Sequence, residues 1–454
     1  MKLKAQPLLF ESMYELWLKK PVMAAEAWVR GTRKPREVIR ENETPPEDLS
    51  LPALEKRGMI EVAPPLKVQS AEDLKKIPAD VDFFIIGETG DLFVPDEILE
   101  KLSSFGKPIM AEWDAWGYSW FGRLSKFRLE KFFEQKYFYT AGAEDLKASL
   151  GAVRAWKKLT SLRPLYVGEF PSHSVVTSNK CFDFDYLRKK FGIEISFISN
   201  EEYIKTVENI PEAEARKLAG EWKEKYEILD GRENNLTLYA RIYLGIHKLL
   251  QEYKANALTM DCAWLPDVEY VPCFTFSQLI EEEIMAACEG DLPALLMGAA
   301  LMGASEEPVL MGNLDANATH KDLENNIITI NHDLVPLSLG HPTCRPKLRD
   351  FHATGKGLTP YVELKNNELV TIAGMHWDLD KMLVTKGLIR WTEDTTHCRI
   401  TIGIEVKKAK QLHKLSFGHH QVMTYGDHTQ ALQGLAQLLG LQYLEINQEW
   451  THGK

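Results

Sequence analysis

Carboxylates, amides and a histidine collect where predicted secondary elements end in the second half of this chain. The segment that starts at Pro272 reads as helix, acidic corner, helix, strand, excursion and strand. Polar residues stand at its three junctions: Glu289 and Asp291, then Asn313 and Asp315, then His332. Metal-assisted chemistry is usually built from such residues at the ends of secondary elements.

A wider carboxylate and imidazole set comes from distant parts of the sequence: Glu289, Asp315, His332 and the pair His419–His420. Hard oxygen ligands with one or two imidazoles suit Mn²⁺, Fe²⁺ or Mg²⁺ better than a closed structural zinc site. The structural alternative stays open at this point, because any chain of this length offers such residues. In that interpretation Glu289 is a surface carboxylate at a helix end and Asp291 is an N-cap.

Strands and helices alternate through the first part of the chain. Apolar runs that end in polar residues precede helical patterns near residue 81 and again near Arg163, which predicts parallel-sheet α/β architecture. Open α/β sheets bind ligands at the carboxyl ends of their strands. Trp264, at the end of one such strand, and Trp113, in a cluster of four aromatics, are therefore candidates to contact a sugar. A core or interface cluster is the alternative for Trp113.

The acidic segment has its own predicted elements. We expect a helix from Ser277 to Cys288, a second helix capped by Asp291, and strands over residues 308–316 and 326–333. Strand-like runs with little helix follow Pro346, which predicts an antiparallel sheet or barrel.

The predicted fold class is α/β, with two parallel-sheet α/β domains followed by a β-rich C-terminal domain. The boundaries that follow are 1–162 for the first α/β domain, 163–345 for the central domain with the acidic residues, and 346–454 for the domain with the histidine pair.

Composition narrows the class of function. The formal net charge of −11 argues against nucleic acid or an anionic membrane as a partner. No apolar run reaches the roughly 18–20 residues that span a bilayer. Glu11 and Glu15 interrupt any signal-peptide core. The six cysteines show no CxxC spacing, which favours reduced thiols and a cytoplasmic location.

Several motifs in this order resemble the L-fucose isomerase and L-arabinose isomerase superfamily: ACEGD (Ala287–Asp291), a small apolar helix, PVLMGN, NHD ahead of a proline, and GHHQVMTYG. The resemblance covers roughly residues 260–454, and the first 250 residues match only in general α/β character. It implies an Mn²⁺-dependent aldose–ketose isomerase that acts on a monosaccharide and assembles into a homo-oligomer, a trimer or hexamer.

The resemblance also assigns roles to individual residues. Glu289 matches the first metal-binding catalytic carboxylate, His420 matches the C-terminal metal histidine, and His332 matches a histidine near the metal. We predict that His332 and His419 contact the substrate, together with Trp264 and Trp113. The second catalytic carboxylate falls on Asn313, and an amide cannot act as a general base.

Asp315 is the residue that could take over from Asn313. It lies two positions further, so on a continuing strand it would face the same side. We therefore predict that Glu289 and Asp315 form the acid/base pair, and that Glu289, Asp315, Asn313 and His420 bind the metal.

The implied chemistry moves a carbonyl from C1 to C2 of an open-chain sugar through an ene-diol. A carboxylate removes a proton from one carbon and returns it to the neighbouring carbon, while a metal ion polarises the carbonyl. Asn313 leaves two alternatives open. One is a non-catalytic sugar-binding or regulatory relative, and the other is a metal-dependent lyase or hydrolase on the same scaffold.

Overall fold

The computed structural model describes residues 2–10, 51–86, 94–112, 127–140, 143–169, 182–229, 231–352, 354–395 and 398–446. The chain divides into two compact units. Unit 1 consists of Met1–Lys157 with Gln433–Gly440, and unit 2 consists of Lys158–Leu432 with Leu441–Lys454.

The strands are numbered along the chain: β1 Leu3–Phe10, β2 Ile60–Val62, β3 Leu66–Val68, β4 Phe83–Ile86, β5 Ile109–Glu112, β6 Tyr137–Thr140, β7 Pro164–Val167, β8 Ser196–Ile198, β9 Glu227–Ile228, β10 Ala257–Met260, β11 Met285–Ala287, β12 Leu310–Leu314, β13 Ile327–His332, β14 Lys347–Phe351, β15 Lys356–Tyr361, β16 Leu369–Met375, β17 Lys381–Asp394, β18 Ile400–Val406, β19 His420–Tyr425 and β20 Gln442–Glu445.

The α-helices are numbered in the same way: α1 Leu51–Lys56, α2 Asp96–Ser103, α3 Ala143–Thr160, α4 Phe184–Phe191, α5 Asn200–Glu208, α6 Glu212–Lys225, α7 Leu236–Glu252, α8 Cys273–Glu281, α9 Leu292–Ser305, α10 His320–Glu324, α11 Ala409–Leu415 and α12 Thr429–Leu439. Short 3₁₀ helices lie at Ala71–Lys76, Arg232–Asn235, Cys262–Trp264, Val268–Tyr270 and Leu337–Leu339. No described helix is both long enough and apolar enough to cross a membrane.

Unit 1 is built on a parallel sheet in the order β2-β1-β4-β5-β6, with β3 also paired to β1. Strand β4 explains why this sheet is covered on both faces. Phe83 and Ile85 pack into one apolar cluster, whereas Phe84 and Ile86 pack into another. Successive residues of a strand point to opposite faces, so a strand that is apolar throughout must be buried on both sides.

Unit 2 contains a four-stranded parallel sheet in the order β11-β10-β7-β8. It also contains a β-barrel in which β16, β19, β12, β13, β18 and β17 pair in turn, and the pairing of β16 with β17 closes the ring. All six of these pairings are antiparallel. Ile400, Ile402 and Ile404 of β18 are fully buried, as the alternating pattern of that strand predicts. The predicted fold class is confirmed.

One predicted helix is wrong. The helix expected from Ser277 to Cys288 occupies Cys273–Glu281 instead, and the chain then forms strand β11. Glu283 has a left-handed backbone with φ 61°, which ends the helix, and the three residues of β11 are buried beside β10. Glu289 therefore follows a parallel strand and not a helix.

The strands predicted around Asn313 and His332 exist as β12 and β13, and both belong to the antiparallel barrel. Strand β12 ends at Leu314, one residue before Asp315, and Asp315 has a left-handed φ of 57°. The continuing strand on which Asp315 would face the side of Asn313 is therefore not formed. The three domain boundaries proposed from the sequence stay predictions.

Candidate active site

Glu289 is presented by a tight turn at the end of β11. Glu289 and Gly290 both have left-handed backbones, with φ 58° and 69°, and the Gly290 N–H donates to the carbonyl of Met260 on β10 at 2.8 Å. A Cβ atom on Gly290 would lie 2.5 Å from the hydroxyl of buried Tyr166. Glycine is therefore required at this position by both its backbone and its surroundings. A strained glutamate in such a turn is the kind of outlier that occurs at functional sites.

Asp291 connects this turn to the barrel. One of its carboxylate oxygens accepts the N–H of Ala294 at 2.8 Å, which caps helix α9. The other lies 2.9 Å from Nδ1 of His420, whose side chain is fully buried. Since a carboxylate only accepts, the His420 Nδ1 carries a proton, and in the neutral ring its Nε2 carries the lone pair. A carboxylate that orients a histidine in this way is typical of metal sites.

Three residues bring their ligand atoms together. Atoms of Glu289, His332 and His420 all lie within 4.8 Å of one another. His332 is the last residue of β13, and His420 is the first residue of β19. The structure thus brings together one residue from the parallel sheet and two from the barrel, all of which the sequence analysis had selected.

The charge of Glu289 is stabilised by the histidines around it. Burial raises the pKa of this carboxyl, but a hydrogen bond with His419 and the charges of His420, His332 and His419 outweigh that effect and lower the pKa to about 2. Nε2 of His419 lies 3.3 Å from a carboxylate oxygen of Glu289, and this contact raises the pKa of His419. Glu289 is therefore an anion at neutral pH.

His332 has the opposite tautomer to His420. Its Nδ1 accepts the backbone N–H of Asp333 at 2.9 Å, so in the neutral ring the proton is on Nε2. Burial, followed by the charge of His420, lowers the pKa of His332 to about 4, which keeps the ring neutral. The two rings lie 5.4 Å apart between centroids. One therefore presents a lone pair and the other an N–H.

The donor set fits a divalent cation. The Nε2 atoms of His332 and His420 are buried and have no hydrogen-bond partner in the described part of the chain. An unsatisfied buried nitrogen is costly, so each of these atoms calls for a ligand. A carboxylate oxygen beside an imidazole lone pair is the mixed O/N set of first-row divalent ions.

Asn313 stands next to this group. In the barrel register it lies opposite Asn331 of β13 and opposite His420 of β19. Its amide also contacts the thiol of Cys398, with Nδ2 and Sγ 3.9 Å apart. The position that the resemblance assigns to the second carboxylate therefore borders His420, but it offers an amide.

Asp315 makes different contacts. One carboxylate oxygen accepts the backbone N–H of Thr329 at 3.1 Å, and the other lies 2.8 Å from Nδ1 of His413 on α11. Its side chain is only 4% exposed, and burial raises its pKa. The structure therefore places Asp315 with Thr329 and His413, and not in the group that contains Glu289. Its catalytic and metal-binding roles stay predictions.

The remaining predicted residues differ in position. His419 lies against Glu289, packs at a tilt of 41° on His420 with ring centroids 3.9 Å apart, and is half exposed. Trp264 follows β10 at the end of a 3₁₀ helix and is 55% exposed. Trp113 lies outside the described residues.

Two features escaped the sequence analysis. Asp291 was interpreted only as a helix cap, although its second oxygen orients His420; its place in the ACEGD motif was the available signal. The second feature is a group made by Asp333, His352 and Cys398, whose ligand atoms also lie within 4.8 Å of one another. Asp333 belongs to the NHD motif, but His352 and Cys398 come from other segments, and no local pattern marks them.

Comparisons with known proteins bear on the family resemblance. Residues 186–306 match the family model for the L-arabinose isomerase central domain. The chain is also 24% identical over 310 residues to a sulfoquinovose isomerase of Priestia aryabhattai, covering 66% of this chain and 68% of that protein, and a sulfoquinovose isomerase of Priestia megaterium matches to the same extent. The resemblance to the L-fucose and L-arabinose isomerase superfamily is confirmed.

Proposed function

We propose that this chain is a sugar isomerase of the arabinose isomerase type and that it interconverts an aldose and its ketose at the Glu289 site with the help of a divalent cation. One observation carries the proposal. Glu289, His332 and His420 meet within 4.8 Å, and the two histidines end in buried, unsatisfied Nε2 atoms. An anion, an imidazole lone pair and an imidazole N–H are complementary to a cation and to the oxygen of a sugar.

Glu289 and His420 would hold the cation, since Glu289 supplies the charge and His420 supplies the lone pair that Asp291 fixes. The Asn313 oxygen can add a neutral ligand beside His420. Mn²⁺ suits this set of oxygen and nitrogen donors. When bound, the cation polarises the sugar carbonyl and stabilises negative charge on its oxygen.

His332 would act on the substrate and not on the metal. Its neutral ring carries the proton on Nε2, so it can donate a hydrogen bond to a sugar oxygen as charge develops there. His419 is close enough to Glu289 to set the orientation of that carboxylate. The exposed indole of Trp264 offers an apolar face for a sugar ring or chain.

Glu289 is the proposed acid/base for the ene-diol reaction. It would carry the hydroxyl proton from O2 to O1, while a second acid/base residue moves the proton from C2 to C1. Asp315 was predicted as its partner, and that role rests on spacing alone, because both Asp315 oxygens are hydrogen-bonded elsewhere.

The substrate is proposed to be an open-chain monosaccharide, and the acting form a homo-oligomer. The described cysteines are free thiols, which supports a reducing compartment such as the cytoplasm.

An isomerase assay on metal-stripped protein tests the function. The protein receives Mn²⁺ and a panel that includes L-arabinose, L-fucose, D-arabinose and sulfoquinovose, and ketose formation is followed. Ketose from one sugar, dependent on Mn²⁺, supports the proposal and names the substrate. Stoichiometric sugar binding without ketose from any sugar would instead favour a non-catalytic relative, and a product that is not an isomer would favour a lyase or hydrolase.

A further inference from the structure

A second polar group lies beside the site, and the proposed function does not use it. It consists of Asp333, His352 and Cys398, which are 2%, 16% and 6% exposed. Asp333 is the residue after His332 at the end of β13, and His352 follows the last residue of β14. Cys398 contacts the amide of Asn313, so this group borders the position where the second carboxylate was expected.

Asp333 holds the imidazole of His352. Its Oδ2 contacts His352 Nδ1, and its Oδ1 accepts the backbone N–H of Arg399 at 2.7 Å. The guanidinium of Arg399 turns away to the Asp350 carboxylate at 2.6 Å, so it does not neutralise Asp333. An anionic carboxylate in contact with Nδ1 keeps the proton on that nitrogen and leaves the lone pair on Nε2.

A buried carboxylate, an oriented imidazole and a basic Nε2 form the arrangement of a general base. Asn313 holds an amide where the resemblance places the second carboxylate, and Cys398, which contacts that amide, also lies within 4.8 Å of ligand atoms of Asp333 and His352. Asp315, the substitute expected from spacing, is instead bonded to His413 and Thr329.

We infer that His352, held by Asp333, is the second acid/base residue of this isomerase, in place of the carboxylate that Asn313 replaces. The inference rests on the proposed function and adds a catalytic residue and a positioning residue to it. His352 touches the sugar, whereas Asp333 acts through His352.

The proton balance is closed. His352 Nε2 takes the proton from C2, the C2–H electron pair becomes the C1=C2 bond, and the C1 carbonyl pair moves to O1. Anionic Glu289 takes the proton from O2–H and delivers it to O1. In the second half, the electron pair left on O2 forms the C2 carbonyl, and the C1=C2 pair takes the proton from His352 at C1. Both residues end as they began, and no oxidant or reductant is required.

Kinetics of His352→Gln on Mn²⁺-loaded protein test the role of His352. We expect kcat to fall about 100-fold, the contribution of a general base, with KM within about 3-fold of wild type. In D₂O, the rate at which deuterium is incorporated at C1 of the ketose should fall together with kcat. Imidazole added to His352→Ala should restore turnover, since it supplies the missing base. His320→Gln, a change of an exposed histidine in the first turn of α10, is the matched control and should keep full activity.

A measurement that needs no turnover tests the Asp333–His352 dyad itself. The ring ¹⁵N shifts of His352 should show a protonated Nδ1 and an unprotonated Nε2 in wild type, and Asp333→Asn should abolish that preference. Wild-type kcat in His352→Gln, a lack of rescue by imidazole, or a ring protonated on Nε2 would each overturn the inference.

The design separates this inference from the proposed function. Absence of ketose from every sugar with wild type would defeat the proposed function, and the NMR measurement would still decide the dyad. Ketose formed equally by wild type and His352→Gln would defeat the inference alone. A second equivalent of Mn²⁺ that His352→Gln removes would show that the group binds metal, and it would also defeat the inference.

Discussion

Two carboxylates with the same local geometry have different surroundings in this protein. Glu289 and Asp315 each follow a strand directly or by one residue, have left-handed backbones with φ 58° and 57°, and lie against a histidine. Glu289 is 31% exposed and its pKa is lowered to about 2, whereas Asp315 is 4% exposed and its pKa is raised.

The difference comes from what the neighbouring groups already bind. The Asp315 oxygens are occupied by His413 and the Thr329 N–H, so this carboxylate stabilises the connection between β12 and β13. Glu289 faces His332 and His420, whose Nε2 atoms have no hydrogen-bond partner among the described residues. A carboxylate is a candidate for binding or catalysis where the polar atoms beside it still lack hydrogen-bond partners.

The largest effect should come from Glu289→Gln. Gln keeps the size of the side chain but removes its charge and its basicity. We expect kcat to fall about 1,000-fold, because an acid/base group is lost. Steady-state assays with Mn²⁺ in excess would check this, and calorimetric titration of Mn²⁺ should show weaker binding. Unchanged turnover and unchanged metal affinity would remove Glu289 from the site.

Asp291→Asn should have the next largest effect. The Asn side chain still caps α9, so the fold is preserved. Its amide would donate to Nδ1 of His420 and place the histidine proton on Nε2, which removes the metal lone pair. We expect Mn²⁺ affinity to fall about 10- to 100-fold, the usual effect of losing such a partner. The measurement is calorimetric titration with Mn²⁺, and circular dichroism should report unchanged helix content. An unchanged affinity would mean that His420 does not ligate the ion.

The Glu289 region should also make the metal-free protein sensitive to acid. The pKa of His332 falls from 6.5 to about 4, so the unfolded chain binds more protons than the folded chain between these values. The free energy of unfolding must therefore decrease as the pH falls from 6.5 to 4, by at most about 3 kcal/mol from this residue. The lowered pKa of Glu289 adds a loss of the same sign below pH 4.5.

Urea unfolding of metal-free protein at pH 7 and pH 4.5 measures this effect. His332→Gln should lose less stability over the interval than wild type, while His320→Gln should behave like wild type. An equal loss in His332→Gln would show that other groups cause the acid sensitivity.

The smallest effect is expected from Asp315→Asn. The Asp315–His413 pair has one partner that is 53% exposed, so the unfolding free energy should change by only about 1 kcal/mol. Turnover should stay within about 3-fold of wild type. Loss of turnover with intact fold and metal binding would instead support the acid/base role predicted for Asp315 from spacing.

Much of the fold could be predicted because it follows from local patterns. The helix capped by Asp291 is present as Leu292–Ser305, and the strands expected over residues 308–316 and 326–333 are present as Leu310–Leu314 and Ile327–His332. Four of the six barrel strands come from the strand-rich pattern after Pro346, whereas β12 and β13 precede it. The helix predicted up to Cys288 was wrong because the three residues of β11 are too few to show a strand period, and only their neighbour β10 makes them a strand.

The sequence by itself determined the residue types at the site, since ACEGD and the histidine pair mark Glu289 and His420. It also determined that the chain alternates strands and helices before a β-rich end. Only the tertiary structure decided which polar atoms meet. Asp291 orients His420, Asp333 holds His352, and Asp315 bonds elsewhere, because a side chain's role depends on partners that are distant in sequence and on whether those partners leave a bond unmade.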